Sequence, residues 1–109
     1  MAIQHANSGD ALDIRPLGPK LLASQTIALF KSENLEVMRL VLPKDKVMPM
    51  HSVRGDITLQ CIEGSILVVV DGQTKLLAAG HMMYLSGSVE HSLKAVADAS
   101  VLVTIALCK

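Results

Sequence analysis

Aromatic residues are almost absent from this sequence, which has one phenylalanine, one tyrosine and no tryptophan. A surface that stacks nucleic-acid bases or sugar rings needs several exposed aromatic side chains, so no such surface is expected. An excess of one charge is lacking as well, because ten lysines and arginines balance ten aspartates and glutamates without a block of like charge. Binding to nucleic acid or to an anionic membrane needs a basic patch, so we expect neither partner.

Cysteine is scarce, and long hydrophobic runs are missing. Cys61 and Cys108 are too few for a disulfide framework. No apolar run approaches the ~20 residues of a membrane helix. Residues 1–10 have neither the basic nor the apolar region of a secretory signal. Together these absences predict a cytoplasmic protein with reduced thiols and no membrane partner.

Aliphatic residues in short segments are what the sequence has in abundance. Hydrophobic residues make up 50% of the 109, enough for the core of a single domain spanning 1–109. Residues 1–19 have mixed character and are interpreted as an N-terminal extension that ends at the breaker pair Gly18-Pro19. The apolar segments that follow predict strands at 26–30, 35–42, 46–50, 56–62, 65–70, 73–78, 82–85, 91–96 and 100–107.

The turns between these segments favour antiparallel pairing. Asp71-Gly72 stands between two apolar runs and predicts a hairpin with a two-residue turn. Residues 21–31 are ambiguous between helix and strand, but the β-branched pair Thr26-Ile27 favours a strand. Many short strands at this spacing predict an all-β fold, an antiparallel β-barrel.

Two histidines and the glycines that follow or precede them give residues 35–107 a resemblance to the small single-domain cupins. The first cupin motif, G-x5-H-x-H-x3,4-E-x6-G, is matched at His51 and Gly64, and the second, G-x5-P-x-G-x2-H-x3-N, at Gly80 and His91. The resemblance implies an RmlC-like jelly-roll barrel, often dimeric, with a pocket lined by these histidines.

Two motif positions that hold metal ligands in cupins hold apolar residues in this chain. Val53 takes the place of the second histidine and Ile57 that of the glutamate. A divalent transition metal needs three or four N or O ligands, whereas His51 and His91 supply two. Metal binding by these motifs therefore requires a substitute ligand.

Asp56 and Cys61 are the candidates for that substitute. Asp56 is one residue from the glutamate position, so alternation turns it to the opposite face unless a bulge at Arg54-Gly55 rotates it inward. Cys61 shares the parity of Ile57 and is expected to face the barrel interior, as a small hydrophobe or as a ligand.

Methionines are concentrated near the two motifs, at Met48, Met50, Met82 and Met83. Thioethers beside imidazoles suggest a soft-metal site such as one for Cu(I). Flexible core filler is the commoner role of methionine, and it also suits an adaptable ligand pocket. The residues that we expect to line a small-molecule pocket are His51, Val53, Ile57, Met50, Cys61 and His91.

Two functions of different classes are consistent with these residues. The first is a small-molecule-binding cupin of unknown ligand, with a partly lost metal site and with His51 and His91 as polar groups in an apolar pocket. The second is an enzyme: a dioxygenase- or isomerase-like cupin that uses both histidines and a substitute ligand to hold Fe, Mn, Ni, Cu or Zn, or a metal-free catalyst in which Asp56 orients His51. Val53 and Ile57 favour the small-molecule-binding function, which does not require a metal.

A homodimer is also expected. The apolar edge strands of a small barrel invite aggregation unless they are paired or covered, and a second copy of the chain can cover them.

Overall fold

The computed structural model describes residues 5–107, in which nine strands and one 3-10 helix are present. The helix is Gly18–Ala23, and the strands are β1 Ile27–Lys31, β2 Leu35–Leu42, β3 Val47–His51, β4 Ile57–Glu63, β5 Ser65–Val70, β6 Gln73–Ala78, β7 Met82–Leu85, β8 His91–Ala95 and β9 Ala99–Ala106. Within this range no helix is long and apolar enough to cross a membrane. Cys108 and residues 1–4 of the N-terminal extension lie outside the described residues.

The strands form two antiparallel sheets. The five-stranded sheet has the order β1-β2-β9-β4-β7, and the four-stranded sheet has the order β3-β8-β5-β6. Strands distant in sequence, such as β2 and β9, are therefore neighbours, as the Greek-key connections of a jelly roll require. The prediction of an all-β, antiparallel jelly-roll fold is confirmed.

Each predicted strand agrees with an observed strand to within one residue at either end. The ambiguous segment 21–31 contains both kinds of structure, because the 3-10 helix ends at Ala23 and β1 begins at Ile27. The predicted hairpin joins β5 to β6. Its turn residues Asp71 and Gly72 have φ values of 51° and 71°, the left-handed backbone that a type I′ turn demands.

The core between the sheets is aliphatic. Alternate residues of β4 (Ile57, Leu59 and Cys61) are buried, and their neighbours along the strand are half-buried. β5 shows the same alternation at Ile66, Val68 and Val70. Full burial of each such aliphatic side chain contributes roughly 1.5–3 kcal/mol, so a core without aromatic residues is still sufficient.

A second set of buried residues lies on the outer face of the five-stranded sheet. Val37 and Val41 alternate along β2 with the inward-facing Leu40 and Leu42, so they project outward, yet both are buried. Leu102 of β9 and Leu21 of the 3-10 helix are also buried outside the main core. The N-terminal segment therefore packs on this face and covers it.

Hydrogen bonds fix this segment to the sheet. Arg39 of β2 is buried, and its guanidinium donates to the backbone carbonyls of Arg15 at 2.8 Å and Asp13 at 3.3 Å. The backbone N–H groups of Leu17 and Gly18 donate to the Glu63 carboxylate at 2.8 and 3.0 Å. From the sequence, residues 1–19 are predicted only as an extension. The hydrogen bonds that hold this segment to the barrel join residues that are 24 to 46 positions apart in the chain.

Candidate functional site

A cavity of about 100 Å³ lies between the two sheets and contains both motif histidines. We call it the histidine cavity. Its lining combines two imidazoles with nine apolar side chains: His51, His91, Met38, Leu40, Met48, Val53, Ile57, Leu59, Leu93, Val103 and Ile105. Larger surface depressions of about 450 and 520 Å³ lie along residues 6–20, but no histidine lines them.

A bulge in β3 aims His51 into this cavity. Met48 pairs with Leu93 and His51 pairs with His91, so three steps along β3 correspond to two along β8. The extra residue places Met48 and His51 on the same face, which simple alternation forbids for residues three apart. Pro49 and Met50 between them are exposed. Pro49 is tolerated here because β3 is an edge strand.

The two imidazoles face one another across this strand pair. Their ring centroids are 4.5 Å apart, and the ring planes are inclined at 53°. Nδ1 of His51 lies 3.1 Å from the Pro49 carbonyl oxygen, and Nδ1 of His91 lies 3.1 Å from that of Val89. A carbonyl oxygen only accepts, so each Nδ1 carries the proton. In the neutral rings each Nε2 is then left with a free lone pair.

Burial differs sharply between the two histidines. His91 is 2% exposed, whereas His51 is exposed. His51 therefore stands at the mouth of the histidine cavity and His91 lies deeper.

The loop that carries Val53 is held over the cavity by its neighbours. The backbone N–H of Ser88 donates to the Val53 carbonyl at 2.7 Å, and that of Ala106 donates to the Asp56 carbonyl at 2.9 Å. Gly55 lies so close to Ala106 that a Cβ atom would sit 1.7 Å from its carbonyl oxygen. Glycine is required at this position for close approach of two backbones.

Asp56 does not line the histidine cavity. Its carboxylate Oδ1 accepts the backbone N–H of Gly87 at 2.8 Å, at an exposed position. The inward rotation that would make Asp56 a substitute ligand, or an orienting partner for His51, is absent from the described structure. Gly55 serves the approach to Ala106 and does not redirect the carboxylate.

Two other residues expected in the pocket lie elsewhere. Met50 is half exposed and borders a surface depression with Ser88 and Glu90. Cys61 is in the core, and its thiol donates to the Glu63 carbonyl at 3.3 Å. Burial raises the pKa of this thiol, which disfavours the thiolate that a reactive or metal-binding cysteine needs.

Of the remaining sequence candidates, His51, Val53, Ile57 and His91 all line the histidine cavity. Among the methionines considered for a soft-metal site, only Met48 lines it. Met38 also lines the cavity, and the motif could not indicate it because this residue lies thirteen positions before His51, on a strand of the other sheet.

Comparison with solved structures decides the fold. A cupin-superfamily protein from Desulfitobacterium hafniense superimposes with a TM-score of 0.78, at 16% identity, over 94% of this chain and 100% of that one. An RmlC-like cupin from Shewanella frigidimarina gives a TM-score of 0.73, at 20% identity, over 98% and 94%. The chain has the cupin fold.

A third similar structure carries no assigned activity. It is a conserved Streptococcus pyogenes protein of unknown function, with a TM-score of 0.75 and 20% identity, over 100% of this chain and 96% of that one. No protein-family profile matches the sequence, and no curated protein does. At such low sequence identities, these structural similarities show a shared cupin fold but not a shared ligand or activity.

The donor set of the histidine cavity does not fit the divalent metal that cupins often hold. Two imidazoles are present, but the motif positions for the other two ligands are the apolar Val53 and Ile57, both of which line the cavity. Among residues 5–107, no three His, Cys, Asp or Glu side chains come together as a metal-binding group. A site of three or four N or O ligands therefore cannot be assembled from the described residues.

Proposed function

We propose that this protein is a small-molecule-binding cupin whose ligand occupies the histidine cavity. The observation that carries the proposal is the convergence of His51 and His91 in one cavity whose other nine lining residues are apolar. Ligand sites generally combine an apolar lining with a few polar groups that fix orientation. The metal function of the motif is partly lost, because Val53 and Ile57 replace two ligands.

The cavity volume limits the ligand to a small body. Sites for drug-sized molecules enclose ≈ 300–1,000 Å³, whereas the histidine cavity encloses about 100 Å³. An apolar cavity of about 150 Å³ in another protein takes benzene or xenon. We therefore propose a ligand whose buried part is no larger than a five- or six-membered ring.

An enzymatic role has less support than binding. Metal-dependent chemistry would need a substitute ligand, and the Asp56 carboxylate is held by Gly87 instead. Metal-free acid/base catalysis would need a carboxylate to orient His51, whose Nδ1 faces the Pro49 carbonyl. The metal-free scheme depends on Asp56 turning inward, and the metal-dependent one on Asp56 or on Cys61, whose thiol is buried in the core and donates to the Glu63 carbonyl.

A pair of matched substitutions tests the proposal. Val53→Phe adds a ring inside the cavity, while Val47→Phe makes the same change on β3 at a position that is exposed and does not line the cavity. Binding of xenon and of small ring compounds would be followed by NMR of Ile, Leu and Val methyl groups. We expect binding in the wild type and in Val47→Phe, and its loss in Val53→Phe.

Two results would count against this function. One is a wild-type protein in which neither xenon nor any small ring compound shifts the cavity methyl signals. The other is unchanged binding in folded Val53→Phe, which would place the ligand elsewhere.

A further inference from the structure

We infer that the histidine cavity selects an uncharged ligand that donates a hydrogen bond, with Nε2 of His91 as its principal acceptor. This inference rests on the proposed function and adds the chemical class of the ligand. A short apolar body carrying an N–H or O–H group belongs to this class, whereas carboxylates, phosphates and ethers of the same size do not.

The tautomers of the two histidines carry the first step. Each Nδ1 is 3.1 Å from a backbone carbonyl oxygen, Pro49 for one ring and Val89 for the other. Since a carbonyl cannot donate, both Nδ1 atoms are donors, and a neutral imidazole with Nδ1–H has an acceptor at Nε2. The two imidazoles therefore contribute acceptors, and no donors, to a ligand in the cavity.

The remaining lining residues add no side-chain donor. All nine are aliphatic or methionine, and a thioether sulfur is at most a weak acceptor. A ligand that only accepts hydrogen bonds thus finds no side-chain partner. An anion meets two lone pairs and apolar walls, without a cation to compensate for its lost hydration.

Burial makes His91 the more selective of the two acceptors. His91 is 2% exposed, so water competes little for its Nε2 once the cavity is filled, and a hydrogen bond in such surroundings is strengthened. A ligand without a donor would leave this acceptor buried and unpaired, which is costly. His51 is exposed and exchanges its ligand contact for water more readily.

The two imidazoles stand close together in the histidine cavity. With centroids 4.5 Å apart and planes inclined at 53°, the two rings lie within the span of a single small molecule. One ligand can therefore contact both rings, with its donor directed to Nε2 of the buried His91.

Pyrrole and furan test this inference, because they are five-membered rings of nearly equal size that differ in one group. Pyrrole donates through N–H, and furan has no donor. Each compound would be added to the protein in increasing concentration at about pH 8, where free imidazole is neutral. Binding would be followed by methyl NMR and by the ¹⁵N signals of the histidine rings. We expect pyrrole to bind roughly five- to tenfold more tightly than furan, the effect of one net hydrogen bond.

The ¹⁵N signals identify the acceptor without any substitution. Nε2 of His91 should shift on addition of pyrrole and much less on addition of furan. In His91→Phe the preference for pyrrole should disappear while xenon still binds. His51→Phe, at the exposed position, should keep most of the preference.

The outcomes separate this inference from the proposed function. Equal affinities for pyrrole and furan, with xenon bound, would overturn the inference and leave the cavity as a binding site. Tighter binding of formate than of pyrrole, or a pyrrole preference that persists in folded His91→Phe, would overturn it as well. If xenon, furan and pyrrole all fail to bind, the proposed function fails, and the inference fails with it.

Discussion

Glu63 joins three separate parts of the chain through one carboxylate. It accepts hydrogen bonds from the backbone N–H groups of Leu17 and Gly18 and from the hydroxyl of the buried Ser100. Burial alone would raise the pKa of this carboxyl group. The hydrogen bonds and the positive charge of Arg39 outweigh that effect and hold the pKa below its ordinary value of 4.5.

Acid should therefore weaken the fold through Glu63. Because the pKa is lower in the folded than in the unfolded chain, the carboxylate stabilises the fold above about pH 4.5, and this stabilisation is lost as the pH falls toward the lowered value. We expect Glu63→Gln to reduce the free energy of unfolding by about 1–3 kcal/mol at neutral pH, and by less at about pH 3.5. Urea denaturation at both pH values measures this.

Glu90→Gln is the control for that comparison, since Glu90 is exposed. It should change the unfolding free energy little at either pH. A Glu63→Gln effect of the same size at both pH values would contradict the assigned role of the carboxylate charge.

Among structural elements, the 3-10 helix Gly18–Ala23 offers a direct test of the outer packing layer. Leu21 is 4% exposed and its neighbour Leu22 is 68% exposed, although the two share residue type and helix. We expect Leu21→Ala to lower the free energy of unfolding by about 2–4 kcal/mol, because it leaves a cavity under the N-terminal segment. Leu22→Ala should cost less than about 0.5 kcal/mol.

Thermal or urea unfolding of the two alanine variants makes this measurement. Similar small losses in both would mean that the N-terminal segment adds nothing to the stability of the barrel. The wild-type amides of Leu17 and Gly18 should also be protected from hydrogen exchange, since both donate to Glu63.

Elements with a local signature could be predicted from the sequence. The strands followed from alternation and β-branched residues, and the β5–β6 turn followed from Asp71-Gly72 because few residue pairs adopt two consecutive left-handed conformations. The N-terminal packing left no such signature. It depends on the hydrogen bond from Arg39 to the Arg15 carbonyl and on the hydrogen bond from Leu17 to Glu63. The partners in each pair are distant in the sequence.

The candidate site was predictable in part for the same reason. Motif spacing brought out His51, Val53, Ile57 and His91, which line one cavity. The bulge in β3 changes the facing of residues after Met48. Pro49 within it is typical of an edge or a bulge, but it does not reveal which way His51 faces. The orientation of the Asp56 carboxylate likewise depends on its hydrogen bond from the Gly87 N–H, which lies 31 residues away in the sequence.

At the scale of the whole molecule, the edge of the five-stranded sheet is apolar. Met82 and Tyr84 of the edge strand β7 are 61% and 63% exposed, while their neighbours Met83 and Leu85 face the core. Covering such an edge with a second copy of the chain removes an aggregation hazard. We therefore expect a homodimer at micromolar concentration, measurable by light scattering.

Substitution of lysine on this edge tests the dimer surface. Met82→Lys with Tyr84→Lys should give a monomer, because charged edge strands resist pairing. Leu22→Lys, at an exposed leucine of the 3-10 helix and away from the edge strand in sequence, should leave the dimer intact. A wild-type monomer would contradict the prediction.

The inward placement of Val53 and Ile57 has a consequence for protein engineering. Val53→His and Ile57→Glu would restore the full ligand pattern of the first cupin motif around a cavity that already holds two imidazoles. Without an ion, the new glutamate would be a carboxylate buried among aliphatic side chains and would destabilise the chain. Folding of such a design would thus become conditional on the ion, and a chelator would act on it as a denaturant.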